Sequence, residues 1–142
     1  MQPIVPYIMF KGETKDALAF YAKALGGQVT TMQTYEEAKM EVQPEFKSQV
    51  MHATFKAGDL MLMASDASDK SQATVKGNNL SLSLNFNSIE EINNTFNALA
   101  ENGQITMELQ DTFWGARFGM LIDQFGIHWM FNHDYEPKET NK

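Results

Sequence analysis

Ser88-Ile89-Glu90-Glu91-Ile92-Asn93-Asn94-Thr95-Phe96-Asn97-Ala98-Leu99-Ala100-Glu101-Asn102-Gly103 is the stretch that decides the fold. The Ser88 hydroxyl can accept the third backbone N–H of a helix while Glu91 reaches back, the Ser-x-x-Glu capping box. Ile89, Ile92, Phe96 and Leu99 then fall on one stripe, and Asn102-Gly103 stop the helix. Working outward, one run of strand character precedes this helix, Leu80 to Phe86. Three follow it: Gln104 to Gln110, Ala116 to Asp123 and Ile127 to Asn132, the last two joined by a turn at Gln124-Phe125-Gly126. The first half repeats the order. Val5 to Phe10 leads into a helix over Thr14 to Leu25, where Ala17, Leu18, Tyr21, Ala22 and Leu25 recur at helical spacing and Gly26-Gly27 end it. Gln28 to Tyr35, Val50 to Lys56 and Leu60 to Ser65 follow, the last pair turned at Gly58-Asp59. Strand, helix and three strands, twice over, predict a tandem structural repeat.

The segment Glu36 to Ser48 has no counterpart in the second half, and its charge and proline predict an exposed, mobile loop able to act as a lid. The expected organisation of residues 1–142 is one domain: module one over about 3–65, a linker over 66–79, module two over about 80–132 and a frayed tail over 133–142. With 142 residues, 43% hydrophobic and 20% charged, the chain has the composition of a soluble globular domain able to bury one core. Its net charge of −7 opposes phosphate neutralisation and anionic lipid, so neither nucleic acid nor membrane is an expected partner. Zero cysteines exclude disulfides, thiolate metal sites and a Cys nucleophile. No basic leader region and no apolar run of about 20 residues is present, which predicts an unprocessed cytoplasmic protein.

Strand alternation sorts the side chains into faces. In Val50 to Lys56, Met51, Ala53 and Phe55 oppose His52, Thr54 and Lys56. In Leu80 to Phe86, Leu80, Leu82, Leu84 and Phe86 oppose Ser81, Ser83 and Asn85. In the last strand Trp129 and Phe131 oppose His128, Met130 and Asn132. If the apolar sets pack on the helices, the mixed polar sets line the opposite face of one sheet, and a curved sheet makes that face a pocket.

Several of these segments carry a resemblance: Pro6-Tyr7-Ile8-Met9-Phe10, Ala19-Phe20-Tyr21 with Gly26-Gly27, Met51-His52-Ala53, and Phe113-Trp114-Gly115-Ala116-Arg117-Phe118-Gly119 followed by Asp123-Gln124-Phe125-Gly126-Ile127-His128-Trp129-Met130-Phe131-Asn132. From about Pro3 to Asn132 the chain resembles PhnB-like members of the vicinal oxygen chelate superfamily, which also holds glyoxalase I, fosfomycin- and bleomycin-resistance proteins and extradiol dioxygenases. The resemblance implies an α+β fold of paired βαβββ modules, an eight-stranded open cup with two main helices outside, usually in a homodimer. It does not imply one activity. The superfamily's metal ligands, carried over by motif, fall near Pro6, His52, Ser81 and Met130, where only His52 remains a good ligand. Proline offers no side-chain donor, a serine hydroxyl is weak, and a thioether is too soft for hard divalent ions. His128 shares a face with Met130, yet two imidazoles leave a site one ligand short of three. No metal or other cofactor is therefore expected. The label of ubiquinone-pathway methyltransferase attached to some relatives is not carried over, because no glycine-rich strand-to-helix turn is fit to hold a nucleotide-like methyl donor.

The candidate ligand-binding residues are His52, Ser81, Ser83, Asn85, Arg117, His128 and Met130. Each histidine reads either as a ligand-facing group or as an ordinary strand residue satisfied by its neighbours. Arg117 reads either as a clamp for a carboxylate or phosphonate or as the partner of an acidic neighbour. His133 reads as surface imidazole one residue past the last strand. Trp114, Phe118, Trp129 and Phe131 read as core or dimer-contact rings. Two functions follow: a metal-free protein that binds or sequesters a small molecule, and a metal-dependent enzyme of the glyoxalase type using His52.

Overall fold

The computed structural model describes residues 1–68 and 74–136. Among the described residues, eight strands and two α-helices follow one another as β1 (Tyr7–Phe10), α1 (Thr14–Leu25), β2 (Gln28–Thr34), a 3-10 turn (Pro44–Phe46), β3 (Val50–Ala57), β4 (Leu60–Asp66), β5 (Leu82–Asn85), α2 (Ile89–Leu99), β6 (Gln104–Asp111), β7 (Ala116–Ile122) and β8 (His128–Asp134). The chain divides into two compact units at Val75/Lys76. The polar strand faces therefore belong to two four-stranded sheets and not to one. Most of the tail and the middle of the linker lie outside the described residues. Among those described, no helix is long and apolar enough to cross a membrane.

In the first unit the strand order is β1-β4-β3-β2, with β1 parallel to β4 and the other pairs antiparallel. Proline has no N–H to donate, so β1 begins only after Pro6, although the Pro6 carbonyl still accepts from Met63 N at 2.9 Å. Helix α1 starts without a local side-chain cap. A buried carboxylate from β4 does the capping, since Asp66 Oδ1 accepts from Thr14 N (3.0 Å) and Thr14 Oγ1 (2.7 Å) and Asp66 Oδ2 accepts from Val50 N (2.9 Å). Asp66, the last residue of β4, is thus a buried structural anchor. Leu18, Tyr21, Phe55 and Leu62 are wholly buried between α1 and the sheet. Gly27 shows why the helix can lie so close, because a Cβ there would stand 2.4 Å from Lys56 O and 2.6 Å from Phe55 Cζ.

The excursion between β2 and β3 is more ordered than its composition predicts. Tyr35 N donates to Gln49 O and Glu36 N to Lys47 O, Thr34 and Glu37 bond each other through side chains, and Tyr35 and Phe46 are buried. The Tyr35 hydroxyl donates to Asp66 O at 2.7 Å. Glu36 to Ser48 is a tied-down element, held at its base by a ladder and at two points by aromatic rings.

The second unit repeats the plan as β5-β8-β7-β6, with β5 parallel to β8. Ser88 caps α2 as predicted, its Oγ accepting from Glu91 N at 3.1 Å, and Asn102, at φ 57°, ends the turn that follows. Phe96 meets Phe131 edge to face at 5.0 Å, and Trp129 is fully buried. Trp129 and Phe131 are therefore core residues, and the expected dimer patch loses both. Phe113 and Trp114, at the β6–β7 turn, are 97% and 58% exposed. At the opposite turn Asp123, itself buried, accepts from Phe125 N (2.8 Å), Ile127 N (3.1 Å) and Trp129 Nε1 (2.8 Å). The Asp-x-x-Gly-x-x-Trp signature is a turn clamped onto the core.

Candidate functional site

Ala53 and Phe55 turn to α1, so alternation sends their neighbours on β3, His52 and Thr54, to the opposite face. The register adds Met63 from β4, paired with both Thr54 and Tyr7, and so brings β1 to the same face. There the Tyr7 hydroxyl lies 3.1 Å from His52 Nδ1, and the Thr54 hydroxyl lies 3.3 Å from His52 Nε2. The two rings are tilted 35° at a centroid distance of 5.7 Å. Tyr7 is 47% exposed and His52 half-buried, which leaves the phenol end of this chain of three open. Met9 stands beside it, its sulfur accepting from Ser65 Oγ at 3.1 Å. Sequence reasoning missed Tyr7. The alternation of Tyr7 and Met9 against Ile8 and Phe10 was a usable signal, but the parallel pairing of β1 with β4 was needed to join it to β3.

In the second unit the face away from α2 carries Ser83 and Asn85 on β5, Met130 and Asn132 on β8, and Phe118, Met120 and Ile122 on β7. His128 stands on the same face at the start of β8, opposite Ile122, and Ser81 lies half-buried just before β5. Asn132 Nδ2 donates to Asn85 Oδ1 and to Asp134 Oδ1, both at 3.1 Å. Near these residues an open recess of about 330 Å³ has Asn85, Asn87, Asn132, His133 and Glu136 among its walls.

Arg117 is not brought to this face. It alternates with Phe118, and its Nε donates to Asn93 Oδ1 of α2 at 2.9 Å while Nη1 stands 3.5 Å from Asp111 Oδ1. The acidic neighbour of Arg117 is Asp111. His133 is likewise on the α2 side, within β8 and not past it, half-buried with Nδ1 2.8 Å from Phe86 O, so it is not a free surface imidazole. Tyr135 donates to the same Asp111 carboxylate. That hydrogen bond raises the phenol above its ordinary value, with smaller contributions from desolvation and from the Asp111 charge.

The residues present do not fit the divalent ion that the superfamily's enzymes hold. At the four inherited positions stand Pro6, His52, Ser81 and Met130, and both ring nitrogens of the one imidazole are already engaged by hydroxyls. Among the described residues no group of three or more His, Asp and Glu side chains is placed to hold a metal.

The family model described as 3-demethylubiquinone-9 3-methyltransferase matches residues 2–131. The chain belongs to that family, the PhnB-like proteins. Protein YjdN of Escherichia coli (strain K12) is 31% identical over 140 residues, covering 92% of this chain and 94% of its own. The crystal structure of PA1353 from Pseudomonas aeruginosa is 37% identical, with a TM-score of 0.83 over 94% of this chain and 98% of the other. A PhnB protein from Bacillus cereus is 28% identical at a TM-score of 0.78, over 93% and 99%. Solved glyoxalase-related and fosfomycin-resistance proteins share the fold of this PhnB-like chain at identities that speak to fold alone. The methyl transfer in the family description finds no glycine-rich turn here: β1 leads to α1 through Lys11-Gly12-Glu13 and β5 leads to α2 through Phe86-Asn87-Ser88.

Proposed function

We propose that this PhnB-like protein binds a small molecule without a metal ion, using the sheet faces turned away from its helices. The observation that carries the reading is His52. A metal ligand needs one ring nitrogen bare, and here Tyr7 and Thr54 take both. On the first sheet His52 stands with Tyr7, Thr54 and Met9, and on the second Ser83, Asn85, His128 and Met130, with Ser81 at the strand entry, stand with Phe118 and Met120; each face by itself offers a few polar groups among methionines and aromatic rings, the usual make-up of a small-molecule surface. The protein acts in the cytoplasm as a homodimer in this reading, with Phe113 and Trp114 as the large rings left for a partner copy to cover.

The test is metal analysis and calorimetry on protein purified without chelator or a nickel column, alongside a thermal-shift screen of small molecules. Expected are no submicromolar zinc, nickel or manganese site, and a stabilising ligand whose effect is lost in His52→Ala. A submicromolar metal site abolished by His52→Ala would overturn the reading in favour of a glyoxalase-type enzyme. Sedimentation as a monomer at micromolar concentration would remove the dimer.

A further inference from the structure

The orientation of protons along Tyr7, His52 and Thr54 decides what the open end of the chain can recognise. A neutral imidazole carries one N–H, and the hydrogen bond made by one nitrogen fixes the state of the other. Two arrangements exist. In the first, Tyr7 O–H donates to Nδ1 and Nε2–H donates to Thr54 Oγ1, so the Tyr7 oxygen shows only lone pairs outward. In the second, Thr54 O–H donates to Nε2 and Nδ1–H donates to Tyr7, which turns the phenol proton outward. A phenol is a far stronger acid than an aliphatic alcohol and therefore the better donor, and both contacts lie within hydrogen-bond reach, 3.1 Å and 3.3 Å. The difference in donor strength favours the first arrangement.

We infer that His52 is held as the neutral Nε2–H tautomer, so that the Tyr7 oxygen is a hydrogen-bond acceptor facing the open side of the first sheet, and that the group it receives is a neutral O–H or N–H donor on a small apolar body. The inference rests on the reading that this face binds a small molecule. The surroundings suit such a body: Met9 is 45% exposed beside Tyr7, Met63 lies between Tyr7 and Thr54 in the register, and the Tyr7 ring itself forms a wall. They do not suit a carboxylate or phosphate. The nearest cation in sequence on that face, Lys56, lies four residues along β3 from His52, about 13 Å at the rise of a strand. Arg117, the other cation with a ligand reading, faces α2 and is paired.

The experiment uses the full chain labelled with nitrogen-15 and two probes sharing one ring: phenol, which donates, and benzoate, which only accepts. Long-range proton–nitrogen spectra of the free protein should show His52 as Nε2–H, and in Tyr7→Phe the Nδ1 resonance should move downfield as it loses its donor. Phenol should shift the resonances of Tyr7, His52 and Thr54 and bind more tightly than benzoate by roughly tenfold, the worth of one neutral hydrogen bond. Tyr7→Phe, which keeps the ring and hence the packing, should abolish that preference. An Nδ1–H tautomer, a preference for benzoate, or phenol binding undiminished in Tyr7→Phe would overturn this inference while leaving metal-free binding at the face intact. If neither probe at millimolar concentration shifts any residue of the face, this inference and the reading beneath it fall together.

Discussion

Asp123→Ala removes one carboxylate and orphans three donors at once: the backbone N–H groups of Phe125 and Ile127 and the indole N–H of Trp129. An unsatisfied buried donor costs about 1–3 kcal/mol. Phe125 and Trp129 are buried and bear the full penalty, whereas Ile127 is half-buried and can be rehydrated in part, so the loss is about 3–5 kcal/mol. For a chain of this size that lowers Tm by very roughly 10–20 °C. Asp123→Asn separates the contributions. Its remaining oxygen can still serve the two backbone donors, but its amide NH₂ then meets the Trp129 N–H, donor against donor, for a cost of about 1–3 kcal/mol. In a Trp129→Phe background there is no indole proton to oppose, so the Asn substitution should become close to neutral. The assay is urea unfolding followed by far-ultraviolet circular dichroism, which reads the Trp129→Phe proteins as well as the others. A loss below about 1 kcal/mol for Asp123→Ala, or an Asn cost unchanged by Trp129→Phe, would refute the clamp.

Asp66→Ala should cost a similar few kcal/mol, because it strips Thr14 N, Thr14 Oγ1 and Val50 N of their shared acceptor, and α1 should lose amide-exchange protection first at its N-terminal turn. Gly119→Ala should destabilise by about 1–3 kcal/mol, since the new Cβ would stand 2.9 Å from Leu109 Cδ2 and 3.0 Å from Phe96 Cε2; unfolding unchanged within error would mean the α2 side of β7 has slack. Tyr135 should ionise above the ordinary phenol range. Because its folded value is raised, the stabilisation is complete below that range and is lost as pH rises through the raised value; ultraviolet titration should show the shift relax in Asp111→Asn.

Helix α1 was legible at both ends and α2 at its start, because each carries its own punctuation there: Gly26 at φ 69° closes α1, and Ser88 opens α2, whereas α2 ends at Leu99, before Asn102-Gly103. Strand ends were less so. β5 begins at Leu82 and not at Leu80, which is 76% exposed, because hydropathy alone cannot say where a partner strand stops. Faces were legible where one side is plainly apolar, as in β3 and β8. They were not in β7, where Phe118, Met120 and Ile122 alternate with Arg117, Gly119 and Leu121 and both sides look apolar, so the helix-facing position of Arg117 had no signal in the sequence. The order of Glu36 to Ser48 was hidden for another reason. Of its two buried rings, Tyr35 acts through a hydrogen bond to Asp66 O of β4, distant in sequence, and Tyr35 and Phe46 follow no period.

Several of the segments that carry the sequence resemblance to the family have little freedom to do chemistry. Asp123 spends its carboxylate on Trp129 Nε1 and on the backbone of its own turn, Gly126 turns the chain at φ 86°, and Gly119 makes room for Phe96. A change at any of them is felt in folding whatever the protein binds, so likeness there transmits the fold and is silent on the ligand. The positions that decide chemistry carry no such burden. Pro6 and Ser81 stand at strand entries and His52 and Met130 on the faces away from the helices, where a side chain can be exchanged without disturbing the core. Function in this fold therefore has to be read from those few open positions. Here one of them, His52, has both ring nitrogens on neighbouring hydroxyls, those of Tyr7 and Thr54.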